Sequence, residues 1–90
     1  MTEASQNLRA LLKAIAPVEI AGPQNSDISQ LTADSRLAAP GTMFVAVRGV
    51  NVDGHRFIPA AVAAGAAAIV CEEFPDEMPQ NVCFIRVADS

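Results

Sequence analysis

Two short apolar runs, "MFVAV" at positions 43–47 and "AAIVC" at 67–71, constrain this chain more than anything else in it. Neither alternates polar with apolar residues, and each is too short for an ordinary helix. Both read as strands covered on both faces. Between them, "HRFIPAAVAAGA" (55–66) sets Phe57 or Ile58, Ala61, Val62 and Gly65 on one stripe at helical spacing. Proline is tolerated only in a first turn, so Pro59 starts this helix near Arg56–Ile58, and Gly65 suits its C-terminal cap. Strand, crossover helix and strand in this order predict a parallel pair.

The flanks add simpler elements. "SQNLRALLKAI" (5–15) spaces Leu8, Leu11, Leu12 and Ile15 as a helix, with Ser5 as N-cap and Pro17 as terminator. "VEIAG" (18–22), "ISQLTA" (28–33) and "VCFIRV" (82–87) read as strands. Pro40-Gly41 marks a turn, and Pro75 and Pro79 bracket an acidic loop, "EEFPDEMPQ". The expected fold is α/β: one domain over residues 1–90, with a small mixed sheet of about five strands and flanking helices. Ninety residues suffice for one core and not two, and 51% hydrophobic content fills it, much of it as alanine. The chain stops on "ADS" directly after a strand, which suggests a piece of a longer protein.

Charge and composition remove several functions. A net charge of −4 lacks the basic footprint that nucleic acid requires, and with no Trp or Tyr a single strand finds no stacking platform. The N-terminus has no long apolar run, so neither a secretory signal nor membrane insertion is expected. Cys71 and Cys83 lie inside apolar runs without metal-ligand spacing. They read as reduced buried thiols of a cytoplasmic protein, with a disulfide as the other reading. No metal site is expected, because one histidine with scattered carboxylates has no ligand pattern. Neither "GxxxxGK[ST]" nor "GxGxxG" occurs.

What remains is two polar clusters, "ADSR" (33–36) and "GVNVDGH" (49–55). Ser35 and His55 are the one pair that could serve a hydrolase, but no nucleophile-elbow pattern surrounds Ser35. Asp34 suits an Asx-type turn. Arg36 fits a carboxylate or phosphate ligand, or a surface ion pair with an acidic loop. Asp53-Gly54 fits the N-terminal cap of the following helix. Gly49 and Gly54 suit positive φ or the close approach of a ligand to backbone.

The string "DSRLAAPGTMFVAVRGVNVDGHRFIPAAVAAGAAAIV" resembles the N-terminal domain of the Mur ligases, most of all the UDP-N-acetylmuramoyl-tripeptide synthetase branch, MurE. The resemblance covers about 28–90. It implies a three-domain cytoplasmic enzyme of peptidoglycan synthesis whose N-terminal domain holds the uridine end of a UDP-N-acetylmuramoyl-peptide. A central domain would carry ATP and Mg2+, and a C-terminal domain the incoming amino acid. The substrate carboxylate would become an acyl phosphate that the amine attacks. No catalytic residue of that reaction falls in these 90 residues, and the chain alone is expected to be inactive. The family's uridine contacts fall here on Ala33, Ser35, Val50, Asn51 and Val52, with Asp34, Arg36, Gly49, Asp53, Gly54 and His55 as loop support. Val50 stands where the family often has histidine. A MurF-like ligase, a non-catalytic accessory module of the same fold, and a structural domain without ligand are the competing readings.

Overall fold

The computed structural model describes residues 6–8, 12–13, 17–24, 27–46 and 54–88. Its centre is a five-stranded mixed sheet. The strands are β2 (Glu19–Ala21), β4 (Gln30–Thr32), β5 (Thr42–Val45), β6 (Ala68–Cys71) and β7 (Cys83–Arg86), in the order β2-β7-β6-β5-β4. β4, β5, β6 and β7 run parallel, and β2 closes one edge antiparallel to β7. The parallel pairing of "MFVAV" with "AAIVC" is as the crossover predicts, in the register Met43 to Ala68 and Val45 to Val70.

The sheet buries both faces, which explains its unbroken apolar strands. Met43, Ala68, Val70, Cys83 and Ile85 point to one side, where Leu8 and Leu12 of the N-terminal helical segment cover them. Phe44, Ile69, Cys71 and Phe84 point to the other, under helix α1 (Ile58–Ala63). The three connections between parallel strands all contribute to this second face, through Ala38, Ile58 and Phe74. Crossovers of one hand stepping in one direction along a sheet must share a face.

Cys71 lies opposite Arg86 and Cys83 opposite Ala68 on neighbouring strands, and the two thiols belong to opposite faces. A disulfide between them would break the ladder. Both are free and buried.

Two elements differ from expectation. "ISQLTA" is two strands rather than one. β3 (Asp27–Ile28) pairs antiparallel with β1 (Gln6–Asn7) in a separate two-stranded sheet, and β4 begins two residues later. Ser29 interrupts them because its N–H and hydroxyl both go to the Gly41 carbonyl, at 2.8 and 3.3 Å. Gln6 and Asn7, expected in the first turn of a helix, are extended, since that same sheet satisfies their backbone. The α-helix begins at Ile58, as the position of Pro59 predicts, after a 3-10 turn over Gly54–Phe57.

That helix ends as its sequence suggests. Gly65 has φ +102, its N–H bonds the Val62 carbonyl at 3.0 Å, and the Ala66 N–H reaches the Ala61 carbonyl at 3.1 Å. These are the two bonds of a Schellman motif, and the buried Ala61 and Ala66 supply its apolar contact. Gly22, at φ +108, packs so closely that a Cβ there would collide with the Val82 carbonyl oxygen.

Candidate functional site

β4 ends at Thr32, and the chain turns at once through a 3-10 turn, Ser35–Leu37. Side-chain hydrogen bonds of Thr32, Asp34 and Arg36 add to its backbone bonds. Thr32 Oγ1 accepts the Asp34 N–H at 3.0 Å. Asp34 is the N-cap, and its Oδ1 accepts the Arg36 N–H at 2.9 Å. The Arg36 guanidinium then closes on the same carboxylate with two contacts, Nε to Oδ1 at 3.0 Å and Nη2 to Oδ2 at 2.8 Å. Fork-to-fork pairing of this kind fixes orientation as well as charge. The Arg36 side-chain bond, then its backbone bond, hold the Asp34 carboxyl below its ordinary range, and Asp34 raises Arg36 in return. The Asx-type turn expected at Asp34 is present, and the surface ion pair of Arg36 is made with Asp34 of the same turn instead of an acidic loop. The pair is solvent-facing, so its worth lies in geometry more than in stability.

Ser35 sits between these two residues, half-buried, and its Oγ has no hydrogen-bond partner among the described residues. With Ala33, Asp34, Arg36 and Phe57 it lines an open cavity of about 550 Å3. The guanidinium spends Nε and one Nη2 hydrogen on Asp34, leaving Nη1 and the outer Nη2 hydrogen for an acceptor such as a phosphate. A hydroxyl without a partner among the described residues, a guanidinium held by Asp34 and an aromatic ring line one surface, an arrangement chemically suited to a polar, anionic ligand. It lies at the carboxyl end of β4, the end at which open α/β sheets place ligands.

His55 is elsewhere engaged. Its Nε2 accepts the Glu72 N–H at 2.9 Å, which ties the 3-10 turn before α1 to the residue that follows β6. A neutral imidazole accepting through Nε2 carries its proton on Nδ1, so it has no lone pair for the Ser35 hydroxyl. The Ser–His pairing therefore has no support in this geometry, in which His55 bridges two loops through its Nε2. Gly54 opens that same turn. The α-helix itself is capped at Phe57 without a side-chain bond, four residues beyond the expected cap. Gly49, Val50, Asn51, Val52 and Asp53 lie outside the described residues.

A second cavity, about 450 Å3, lies between α1 and the 75–79 loop. Its floor is apolar, and Asp76 and Glu77 on its wall carry the wrong sign for a phosphate ligand. The chain has no glycine-rich loop with lysine, and among the described residues no three potential ligands group for a metal. No described helix is long and apolar enough to cross a membrane.

The sequence reading did not place Phe57 on the wall of this cavity. It assigned Phe57 or Ile58 to the buried stripe, and the position of Pro59 could have chosen between them. A helix starting at Ile58 turns Ile58 inward and leaves Phe57 at the rim.

A family model described as "Mur ligase family, catalytic domain" matches residues 27–85. A relative from Bacteroides thetaiotaomicron, named UDP-N-acetylmuramoyl-L-alanyl-D-glutamate--2,6-diaminopimelate ligase, is 46% identical over 83 residues. A relative of the same name from Bacteroides fragilis is 47% identical over 83 residues. Each match covers 92% of this chain, and the chain spans 17% of the length of those relatives. Among solved structures, UDP-N-acetylmuramoylalanyl-D-glutamyl-2,6-diaminopimelate--D-alanyl-D-alanyl ligase from Acinetobacter baumannii superposes with a TM-score of 0.82 at 26% identity. It covers 99% of this chain and 20% of its own.

Proposed function

This chain belongs to the Mur ligase family, and from that premise we propose that it holds the uridine diphosphate end of a UDP-N-acetylmuramoyl-peptide. The reading places it in a MurE-type cytoplasmic ligase of peptidoglycan synthesis. There it would be the substrate-binding N-terminal domain, beside a domain for ATP and Mg2+ and another for the incoming amino acid. The sequence relatives named for 2,6-diaminopimelate favour that amino acid over the MurF-type step in the name of the more distant structural neighbour.

One observation carries the reading. Ser35, with an unpartnered hydroxyl, is held by the Thr32–Asp34–Arg36 hydrogen bonds at the wall of an open cavity, within the family-matched segment. Ser35 Oγ can donate to or accept from a uracil or a diphosphate, and Ala33 offers backbone groups beside it. Arg36 adds a fixed cation. Val50, Asn51 and Val52 complete the site by family resemblance. The Asn51 amide complements the uracil edge, since its oxygen accepts from the N3–H and its NH2 donates to a flanking carbonyl. Net negative charge does not oppose such a ligand, since backbone N–H groups and one base suffice.

In this role the chain does no bond-making. It binds and orients the nucleotide, so it should not turn over ATP on its own. The test is an amide-shift titration of the 90-residue chain with UDP-N-acetylmuramoyl-L-alanyl-D-glutamate. Binding near ~1 mM is expected, because contacts from other domains are missing while the association entropy remains. Ser35→Ala and Asn51→Ala should each weaken it about fivefold, the equivalent of one lost hydrogen bond at about 1 kcal/mol. Equal affinity in all three proteins, or shifts confined to the opposite face, would refute the assignment.

A further inference from the structure

We infer that Phe57 is the surface on which the base of the bound nucleotide stacks. The inference rests on the nucleotide reading above and adds a residue to it. Apolar aromatic side chains normally go to the core, and the helical stripe offered Phe57 a place there. Ile58 takes it instead at 2% exposure, while Phe57 remains 40% exposed. The ring forms one wall of the cavity that Ala33, Asp34, Ser35 and Arg36 also line.

Its position is fixed rather than adaptable. Phe57 is the last residue of the 3-10 turn and the N-cap of α1, so both flanking elements hold its backbone. The Arg56 guanidinium carbon lies 5.8 Å from the ring centroid, within range of a cation–π contact that orders one face. The ring also lines the cavity, where a ligand can reach it. No other ring in the chain is as available. Trp and Tyr are absent, Phe44 and Phe84 are fully buried, and Phe74 packs against the core. A half-exposed ring beside a free hydroxyl and a fixed cation matches the three parts of a nucleotide: a planar base, polar ribose or base edges, and phosphate. Stacking is tolerant of base identity, so Phe57 supplies affinity and the polar groups supply selection.

The test uses the 90-residue chain with Phe57→Leu and Phe57→Trp. The second variant contains the chain's one tryptophan and so reports locally by fluorescence. UDP should quench that fluorescence, and ribose 5-phosphate, which has no base, should not. Phe57→Leu should weaken UDP about tenfold, within the usual range for one base–aromatic stack. Wild-type affinity in Phe57→Leu, with the 33–36 amides still shifting, would overturn the inference and leave the nucleotide reading standing. Absence of any UDP-induced shift at 33–36 in the wild-type chain would remove both. Should Phe57→Leu fail to fold, the Phe57→Trp response decides: no UDP-specific quench overturns the inference.

Discussion

His55 Nε2 accepts the backbone N–H of Glu72 at 2.9 Å, and this bond joins the turn that launches α1 to the end of β6. It converts the chain's one histidine from a candidate base into a brace. His55→Leu removes the acceptor and leaves a part-buried N–H without it. The expected cost is about 1 kcal/mol or somewhat more in folding free energy. Urea denaturation would measure it, and an unchanged midpoint would contradict the bracing role.

The thiols give a test of the core. Burial pushes Cys71 up to about 11 and also raises Cys83. At pH 8 neither should react with iodoacetamide in the folded chain, and both should react once it is denatured. In the unfolded chain Cys71 ionises near its ordinary 9.0, so between about pH 9 and 11 the unfolded state has lost a proton that the folded state keeps. Stability should therefore fall as pH rises through that window. Cys71→Ala should make the fall shallower, as read from thermal unfolding at a series of pH values.

The capped turn predicts an acid titration. Asp34 is held below its ordinary 3.8, first by the Arg36 side chain and then by the Arg36 N–H. Its contribution to stability is present above the ordinary value and is lost as pH falls through the lower, folded-state value. The Arg36 amide resonance should report this transition with a midpoint below 3.8, and Asp34→Ala should abolish it. A midpoint at or above 3.8 would show that the fork is not formed in solution.

The parallel core was legible in the sequence because burial on both faces leaves an unbroken apolar run, and Pro59 and Gly65 punctuate the helix between the runs. The loop residues Asp34 and Arg36 were legible as turn and ion-pair chemistry, though not as partners of each other, because a two-residue fork depends on turn geometry that spacing does not encode. The division of "ISQLTA" was hidden for a similar reason: it depends on Ser29 meeting Gly41, twelve residues away. Extended pairing at Gln6–Asn7 was masked by a stronger local signal, the leucine spacing that follows. Phe57 escaped because a stripe with two adjacent apolar candidates does not say which one the helix start turns outward.

The central claim is that the turn at 33–36 forms part of a uridine nucleotide site. Paired titrations of the isotope-labelled chain with UDP and with ADP test it most directly, since the two share a diphosphate and differ in the base. The account predicts that UDP shifts the amides of Ala33, Asp34, Ser35 and Arg36 at millimolar concentration, and that ADP binds these residues several-fold more weakly. Equal shifts with both nucleotides, or no response at 33–36 to either, would contradict it.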